Sequence, residues 1–159
     1  VSTPPLDAID VRILEELQVD GRLSNVALAD AVGLSPSPCL RRVKRLEDAG
    51  VISGYRAVVD RERVGLDMTV FVEVTVERHG EGTQEVLEAA FLALPEVVSC
   101  HVVSGQADFL LEVVCHDLRD YDRFTREHIQ RLPQITRIYS NFAISTVKAG
   151  GPLPVRRPL

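Results

Sequence analysis

Residues 33–54 read GLSPSPCLRRVKRLEDAGVISG, and the helical phase of this stretch decides the fold of the first third of the chain. Ser35 is placed as an N-cap, its hydroxyl an acceptor for a backbone N–H one turn ahead. Pro36 follows at the first helical position, where its fixed φ suits the helix and the missing N–H has no partner to lose. Pro38 still lies in the first turn, so it too removes no helical hydrogen bond. The N–H groups of Ser37 and Cys39 are left at the positive helix end, suited to a phosphate. Leu40, Val43 and Leu46 recur at spacing three and predict the buried stripe, and Gly50 follows as a C-cap. Arg41, Arg42, Lys44 and Arg45 fall outside that stripe, with no acid between residues 35 and 46. A turn and a short strand are expected directly after it.

A basic run alone is more often a solvated face on an ordinary core helix, so the flanking sequence decides. Residues 24–32, SNVALADAV, predict a short helix capped by Ser24, with Leu28, Ala29 and Val32 inward. Gly33-Leu34 makes the tight turn into the next cap. Leu6 to Asp20 predicts a longer helix with Asp7 as cap and Ile9, Ile13, Leu14 and Leu17 as its apolar face. Three helices and a small strand pair in about sixty residues is a winged helix-turn-helix, a reader of double-stranded DNA. Its candidate contact residues are Ser35, Ser37, Arg41, Arg42, Lys44 and Arg45. The geometry gives Ser37, Arg41, Arg42 and Arg45 to a groove and sets Lys44 nearer the phosphates.

The chain has 159 residues, 45% of them hydrophobic and 26% charged, which fits one compact domain or two small ones. No apolar run approaches the roughly 20 residues that span a bilayer. The polar, acidic start VSTPPLDAID does not read as a secretory leader. Three scattered cysteines, an odd number, point to a reducing cytoplasm. The net charge of −5 is unevenly spread. Residues 1–66 carry 9 basic and 10 acidic groups, and residues 67–159 carry 9 and 13. The acid is concentrated away from the basic helix, and phosphate affinity follows local charge.

Residues 60–67, DRERVGLD, read as a linker between a first domain at 1–59 and a second at 68–149. In the second domain the periodicity changes. Val70, Val72, Val74 and Val76 alternate with Thr69, Phe71, Glu73, Thr75 and Glu77, a strand with one buried face. Residues 82–94 return to helical spacing, with Val86, Leu87, Ala90, Phe91 and Leu94 inward. Residues 97–103 and 109–115 are strands around a turn at SGQAD. A second helix runs from about Leu118 to Leu132 with Tyr121, Phe124, Thr125, His128 and Leu132 on one face, and a long strand follows through ITRIYSNFAISTV. The order βαββαβ predicts an α+β fold, a ferredoxin-like split sandwich after the winged helix-turn-helix. Its open sheet face needs cover, and a second subunit is the usual cover. The end GGPLPVRRPL, residues 150–159, reads as a mobile tail; its two arginines are read as unstructured rather than as DNA contacts.

Two rival chemistries compete with DNA binding in this sequence. Cys100-His101 and Cys115-His116 invite a metal or redox site, but neighbours on a strand point to opposite faces. With the hairpin turning near 105–107, Cys100 pairs with about residue 111 rather than Cys115. No zinc spacing is present, so no metal or other cofactor is expected. His128 reads as a packed histidine and His79 as a loop residue. Neither a phosphate loop, a nucleophile elbow nor a dinucleotide fingerprint occurs. Glu73, Glu77 and Glu112 have no evident basic or nucleophilic partner. An enzyme is not expected.

LDAIDVRILEELQVDGRLSNVALADAVGLSPSPCLRRVKRLEDAGVISGY, CHVVSGQADFLLEV and LPQITRIYSNFAISTVK together resemble the leucine-responsive/asparagine-responsive (Lrp/AsnC, or feast/famine) transcription regulators. The likeness covers roughly residues 6–148. It implies an amino-acid-responsive DNA-binding regulator that dimerises through its αβ domain, the dimers often assembling into octamers. It implies an effector site at the sheet-to-sheet interface between dimers, lined by the turn Ser104-Gly105-Gln106-Ala107-Asp108, with Val102, Leu118 and Ser140 as matched positions nearby. The chemistry is sound: Gly105 allows close approach of a ligand, turn amides can hold a carboxylate, and Asp108 can accept from an ammonium. The same residues also serve a plain hairpin turn, with Asp108 as its cap. Many members carry an aromatic residue where this chain has Ala107, so leucine is not carried over as the effector. The alternative is a ligand-sensing or architectural assembly protein with little effector control.

Overall fold

The computed structural model describes residues 5–77 and 82–155; His79, Arg156 and Arg157 lie outside them. The chain divides into two units, one comprising the chain up to Val58 together with that from Lys148 onward, the other Val59–Val147.

In the first unit α1 runs Ala8–Val19, α2 Asn25–Val32 and α3 Pro36–Asp48. α1 starts at Asp7, whose carboxylate accepts from the N–H groups of Ile9 and Asp10, each at 2.9 Å. Ser24 caps α2 by accepting from Ala27 N–H at 3.2 Å. The turn between α2 and α3 is made by Gly33 at φ +73°, a left-handed conformation that a side chain strains. The three helices enclose Ile13, Leu14, Leu28, Ala29, Val32, Cys39 and Leu46.

The buried stripe of α3 differs from the expected one. Cys39 is fully buried, Val43 packs partly against the core, and Leu40 is 56% exposed. The inward positions are thus 39, 43 and 46, an i, i+4, i+7 set, and not the 40, 43, 46 series of spacing three. The expected wing also takes another form. Val51 and Ile52 turn back on Leu46, both donating to its carbonyl, and pack on the core. Among the described residues from Val51 to Val59 no strand ladder forms. A two-stranded hairpin is marginal in water by itself, and this segment has no partner strand among the described residues of its unit.

The tail expected to be mobile is held on the first unit as far as residue 155. Leu153 N–H donates to Gln18 Oε1 at 2.6 Å, Gln18 Nε2 returns a bond to the Leu153 carbonyl at 3.2 Å, and Val155 packs against the helical core. Its Gly and Pro content concealed two apolar residues and a ready amide partner on α1.

In the second unit β1 (Met68–Val76), α4 (Thr83–Leu92), β2 (Val97–Val102), β3 (Phe109–Cys115), α5 (Leu118–Phe124) and β4 (Ile135–Phe142) follow in order. The sheet runs β2-β3-β1-β4, each pair antiparallel. The fold is α+β and ferredoxin-like, as expected. Register follows the alternation of β1: Val70, Val72 and Val74 are buried with Leu111, Val113 and Phe109 of β3 beneath Leu87, Phe91, Phe124 and Ile129 of the helices. Phe91 meets Phe109 edge-on at 5.3 Å between ring centroids. Cys100 pairs with Leu111, as its distance from the turn predicts.

Three local expectations change. Val86 is exposed, and the residues that α4 buries fully are Leu87 and Phe91. Beyond Phe124 the helix widens into a π turn over Thr125–Ile129, with Gln130 N–H bonded to the Thr125 carbonyl at 2.8 Å. The wider turn shifts the phase, so Ile129 is buried and His128 is exposed beside the Phe124 ring at 5.6 Å. The stretch 60–67 is no free linker either. It contains a 3-10 turn, Glu62–Val64, and Arg61 reaches Thr69 at 3.0 Å and Glu112 at 2.9 Å.

Candidate functional site

The face of α3 begins at a cap that is only half made. Ser35 takes the N-cap position, yet its side chain makes no capping bond. An N-cap hydroxyl accepts from the second or third helical N–H, and the third residue here is Pro38. The same geometry corrects the expected phosphate donors: Cys39 N–H is spent on the Ser35 carbonyl at 3.2 Å, leaving Ser37 N–H and the Ser35 hydroxyl. Asn25 Nδ2 donates to the Pro36 carbonyl at 2.9 Å, fixing the start of α3 against α2.

The four basic residues divide into two kinds. Arg42 reaches Asp7 at 2.6 Å and Asp10 at 2.9 Å, and Arg45 reaches Asp10 at 2.5 Å. Asp10 is 0% exposed, whereas the Arg42 and Arg45 side chains keep 27% and 47% exposure. Arg41 and Lys44 are exposed and form no ion pair among the described residues. The expected four-charge face therefore carries two unmatched cations and two arginines whose charge the α1 acids balance. At about 100° per residue, Arg41 points directly away from the Cys39–Leu46 stripe. Ser37 and Lys44 lie beside it, Arg45 and Arg42 turn toward α1, and Leu40 takes the opposite flank. Pro38, Arg41, Arg42 and Arg45 line a cleft of about 300 Å³, a surface fit for an anion.

Asp10 is the residue that sequence reasoning missed. It is the third helical residue of α1, and its carboxylate accepts from Asp7 N–H at 3.1 Å, closing a capping box. The spacing Asp7-x-x-Asp10 at a helix start is that signature; the arginines arriving from 32 and 35 residues away carry no local signal.

Asp7 is held at a pKa of about 2, first by the Asp10 N–H and then by Arg42, and Arg42 is raised above its usual range chiefly by Asp7 and Asp10. A lowered carboxylate contributes stability that is full above its unfolded value near 4 and lost as pH falls through the folded one. Acid titration of the first unit is expected to show a loss between about pH 4 and 2 that Asp7→Asn abolishes. Its size should stay under about 1 kcal/mol, because the pair is solvated. Identical acid profiles for the two proteins would contradict it.

The effector-matched residues fall in two places. Ser104, Gly105 and Gln106 are exposed at the β2–β3 turn, and Ala107 and Asp108 are half-buried. Gly105 has φ +134° with open space where a Cβ would stand, so the backbone conformation, not a close neighbour within the chain, requires glycine. Asp108 is already engaged: its carboxylate accepts from Val76 N–H at 2.9 Å, across the irregularity at Thr75/Val76. Val102 and Asp108 border a groove of about 420 Å³ with Val76, Gln84 and Phe109. Leu118 and Ser140 border another of about 530 Å³, with Arg119, Asp122 and Phe142. There the Tyr121 and Ser140 hydroxyls meet at 2.5 Å. Val102 on β2 and Ser140 on β4 lie on opposite edges of the sheet, about 14 Å apart across three strand spacings, while Asp108 precedes β3 and is bonded to β1 between them.

The cysteines are free. Burial raises the Cys39 and Cys100 thiols, and burial with Asp120 pushes Cys115 to about 11, the opposite of what a thiolate nucleophile needs. Among the described residues no three His, Cys, Asp or Glu side chains converge as metal ligands. Among the described residues no helix is long and apolar enough to cross a membrane.

Comparison with known proteins settles the family. Residues 69–153 match the Lrp/AsnC ligand binding domain, and residues 6–53 match a winged helix-turn-helix DNA-binding domain. The chain belongs to the Lrp/AsnC family. It is 46% identical to the leucine-responsive regulatory protein of Haemophilus influenzae over 136 residues, 84% of this chain and 82% of that protein. With the protein of that name from Escherichia coli K12 it shares 40% over 151 residues, 95% and 92% of the two chains. Among solved structures, a transcriptional regulator of Neisseria meningitidis in complex with L-Met is 36% identical. It matches with a TM-score of 0.90, covering 94% of this chain and 96% of that one. An AsnC family regulator of Agrobacterium tumefaciens is also 36% identical, with a TM-score of 0.89, over 94% and 97%. This Lrp/AsnC chain is a DNA-binding transcriptional regulator with a ligand-binding domain, and its relatives are regulators, not enzymes.

Proposed function

We propose that this regulator works as a cytoplasmic homo-oligomer, a dimer or an octamer assembled from dimers, whose hold on DNA is set by an amino acid bound between dimers. Residues 1–59 serve as the reading unit, with Ser35, Ser37, Arg41 and Lys44 at the DNA and Arg42 and Arg45 completing the basic cleft. Residues 68–149 serve as the sensing and assembly unit. Two α3 helices of a dimer enter successive major grooves of a partly palindromic site, and effector binding shifts affinity by linkage.

The observation that carries this reading is the placement of Val102 and Ser140 on opposite edges of the sheet. A free amino acid is too short to touch Val102 and Ser140 of the same chain. It can touch both only where one copy presents its β2 edge to another copy's β4 edge. The sheet face away from α4 and α5, with Phe71 and Tyr139 exposed on it, supports the dimer, because a half-apolar face gains by being covered. The relative solved with L-Met supports an amino acid as the ligand class. Arg119 and Asp122 beside Leu118 and Phe142 supply charges for a carboxylate and an ammonium, next to apolar surface for a side chain.

The test is a thermal-shift screen of the purified protein against the twenty amino acids at millimolar concentration. An effector at a hundred times its dissociation constant stabilises by about 2.7 kcal/mol. Asp108→Asn keeps an acceptor for Val76 N–H while removing the charge, and is expected to blunt that shift without changing DNA affinity measured in the absence of effector. A flat screen would favour the architectural reading with little effector control, and an undiminished shift in Asp108→Asn would remove Asp108 from the site.

A further inference from the structure

The exposed face of α3 contains a group that polar recognition does not use. Helical spacing puts Ser37, Leu40, Arg41 and Lys44 at i, i+3, i+4 and i+7, one continuous outward stripe. Three of these can donate hydrogen bonds. Leu40 cannot, and it is 56% exposed because Cys39 has taken the core position that spacing three assigned to it. A single exposed leucine is ordinary on a protein surface. This one stands on the helix that enters the groove, one residue from Arg41.

We infer that Leu40 is a specificity-determining residue that reads the C5-methyl group of thymine. The inference rests on α3 being the DNA-reading helix. In the major groove an apolar side chain set against N7, O6, O4 or an amino group strips water from that group and returns no hydrogen bond. The thymine methyl is the one natural feature of those edges that gains from contact with it. Leu40 therefore favours thymine at one position in each half-site and disfavours guanine or unmodified cytosine there. A 5-methylcytosine, which carries the same methyl at the same place, should be accepted better than cytosine.

A duplex enriched from a random-sequence pool by the full-length protein supplies the probe. Each thymine is replaced in turn by deoxyuridine, which removes the methyl and leaves the pairing intact. One substitution per half-site is expected to weaken wild-type binding about fourfold, the value of one buried methyl-sized group. The same substitution should cost nothing in Leu40→Ala and keep its cost in Leu40→Met. Leu40 is exposed, so Leu40→Ala should fold, and a circular dichroism melt confirms that both variants do.

A wild-type profile indifferent to every deoxyuridine, or the same penalties in wild type and Leu40→Ala, would overturn the assignment. Arg41→Ala on the unmodified duplex separates this from failure of the parent reading. Weakened binding there with a flat deoxyuridine scan removes Leu40 alone. Unchanged binding in both Arg41→Ala and Arg45→Ala, or no sequence enriched from the pool, removes the α3 interface and Leu40 with it.

Discussion

Replacing Asp10 by alanine is expected to destabilise the first unit by about 2–3 kcal/mol. Asp10 accepts from Asp7 N–H, Arg42 and Arg45 at once, and it is fully buried. Loss of the carboxylate opens the capping box and releases two guanidinium groups. The cost stays below that of a wholly buried ion triad, because both arginines are partly exposed and return to water. For a unit of this size that corresponds to a melting temperature lower by roughly 10–20 °C. Calorimetry is the measurement, because the two units have separate cores and the effect should fall on the helical one. Asp10→Asn, which keeps the shape and an acceptor but not the charge, is expected to lose less. DNA binding should change in kind as well. With one acid removed from beneath α3, Arg42 and Arg45 gain charge toward solvent, so the slope of affinity against salt steepens while discrimination between sequences falls. An Asp10→Ala protein whose melting matches the wild type would refute the proposed role of the carboxylate.

What the sequence made legible follows the range over which each signal acts. Caps, the alternation of β1 and the turn before β3 are local patterns, and Asp7, Ser24, Val70, Val72, Val74 and Gly105 take the expected positions. The pairing of Cys100 with Leu111 followed from counting residues to the turn. Signals that need a partner elsewhere were not legible. Arg42 and Arg45 read as groove contacts because nothing within twelve residues of them said that Asp7 and Asp10 lie beneath. Leu40 and Cys39 are both suited to a core, and only packing against α1 and α2 chooses between their phases. His128 read as inward because a regular helix was assumed through Thr125, where a π turn adds the residue that brings Ile129 in. The tail read as mobile from its glycines and prolines, and Gln18, 135 residues earlier, is what holds it. The effector-matched residues could be named from family likeness, but the placement of Val102 and Ser140 on opposite sheet edges is a property of strand order that no short motif states.

Arg41→Ala is expected to weaken binding to the selected duplex by about 1–3 kcal/mol, roughly 5- to 150-fold, with no change in melting. Arg41 points opposite to the buried stripe, is exposed, and forms no ion pair among the described residues, so its whole hydrogen-bonding capacity is open to a base edge or a phosphate. The two neighbours that read alike in sequence should behave differently. Arg42→Ala takes from buried Asp10 one of its two cations, so its main effect is on stability and its effect on DNA follows from that. Arg45→Ala should do some of each, since Arg45 holds Asp10 by one bond and keeps about half its surface. A titration by fluorescence anisotropy at one fixed salt concentration, run beside thermal melts of all three variants, separates the cases. If Arg41→Ala and Arg45→Ala both bind as the wild type does, α3 is not the reading helix. If instead Arg42→Ala alone loses affinity while melting normally, the α1 acids do not hold it, and the division of the basic face into open and tethered charge is wrong.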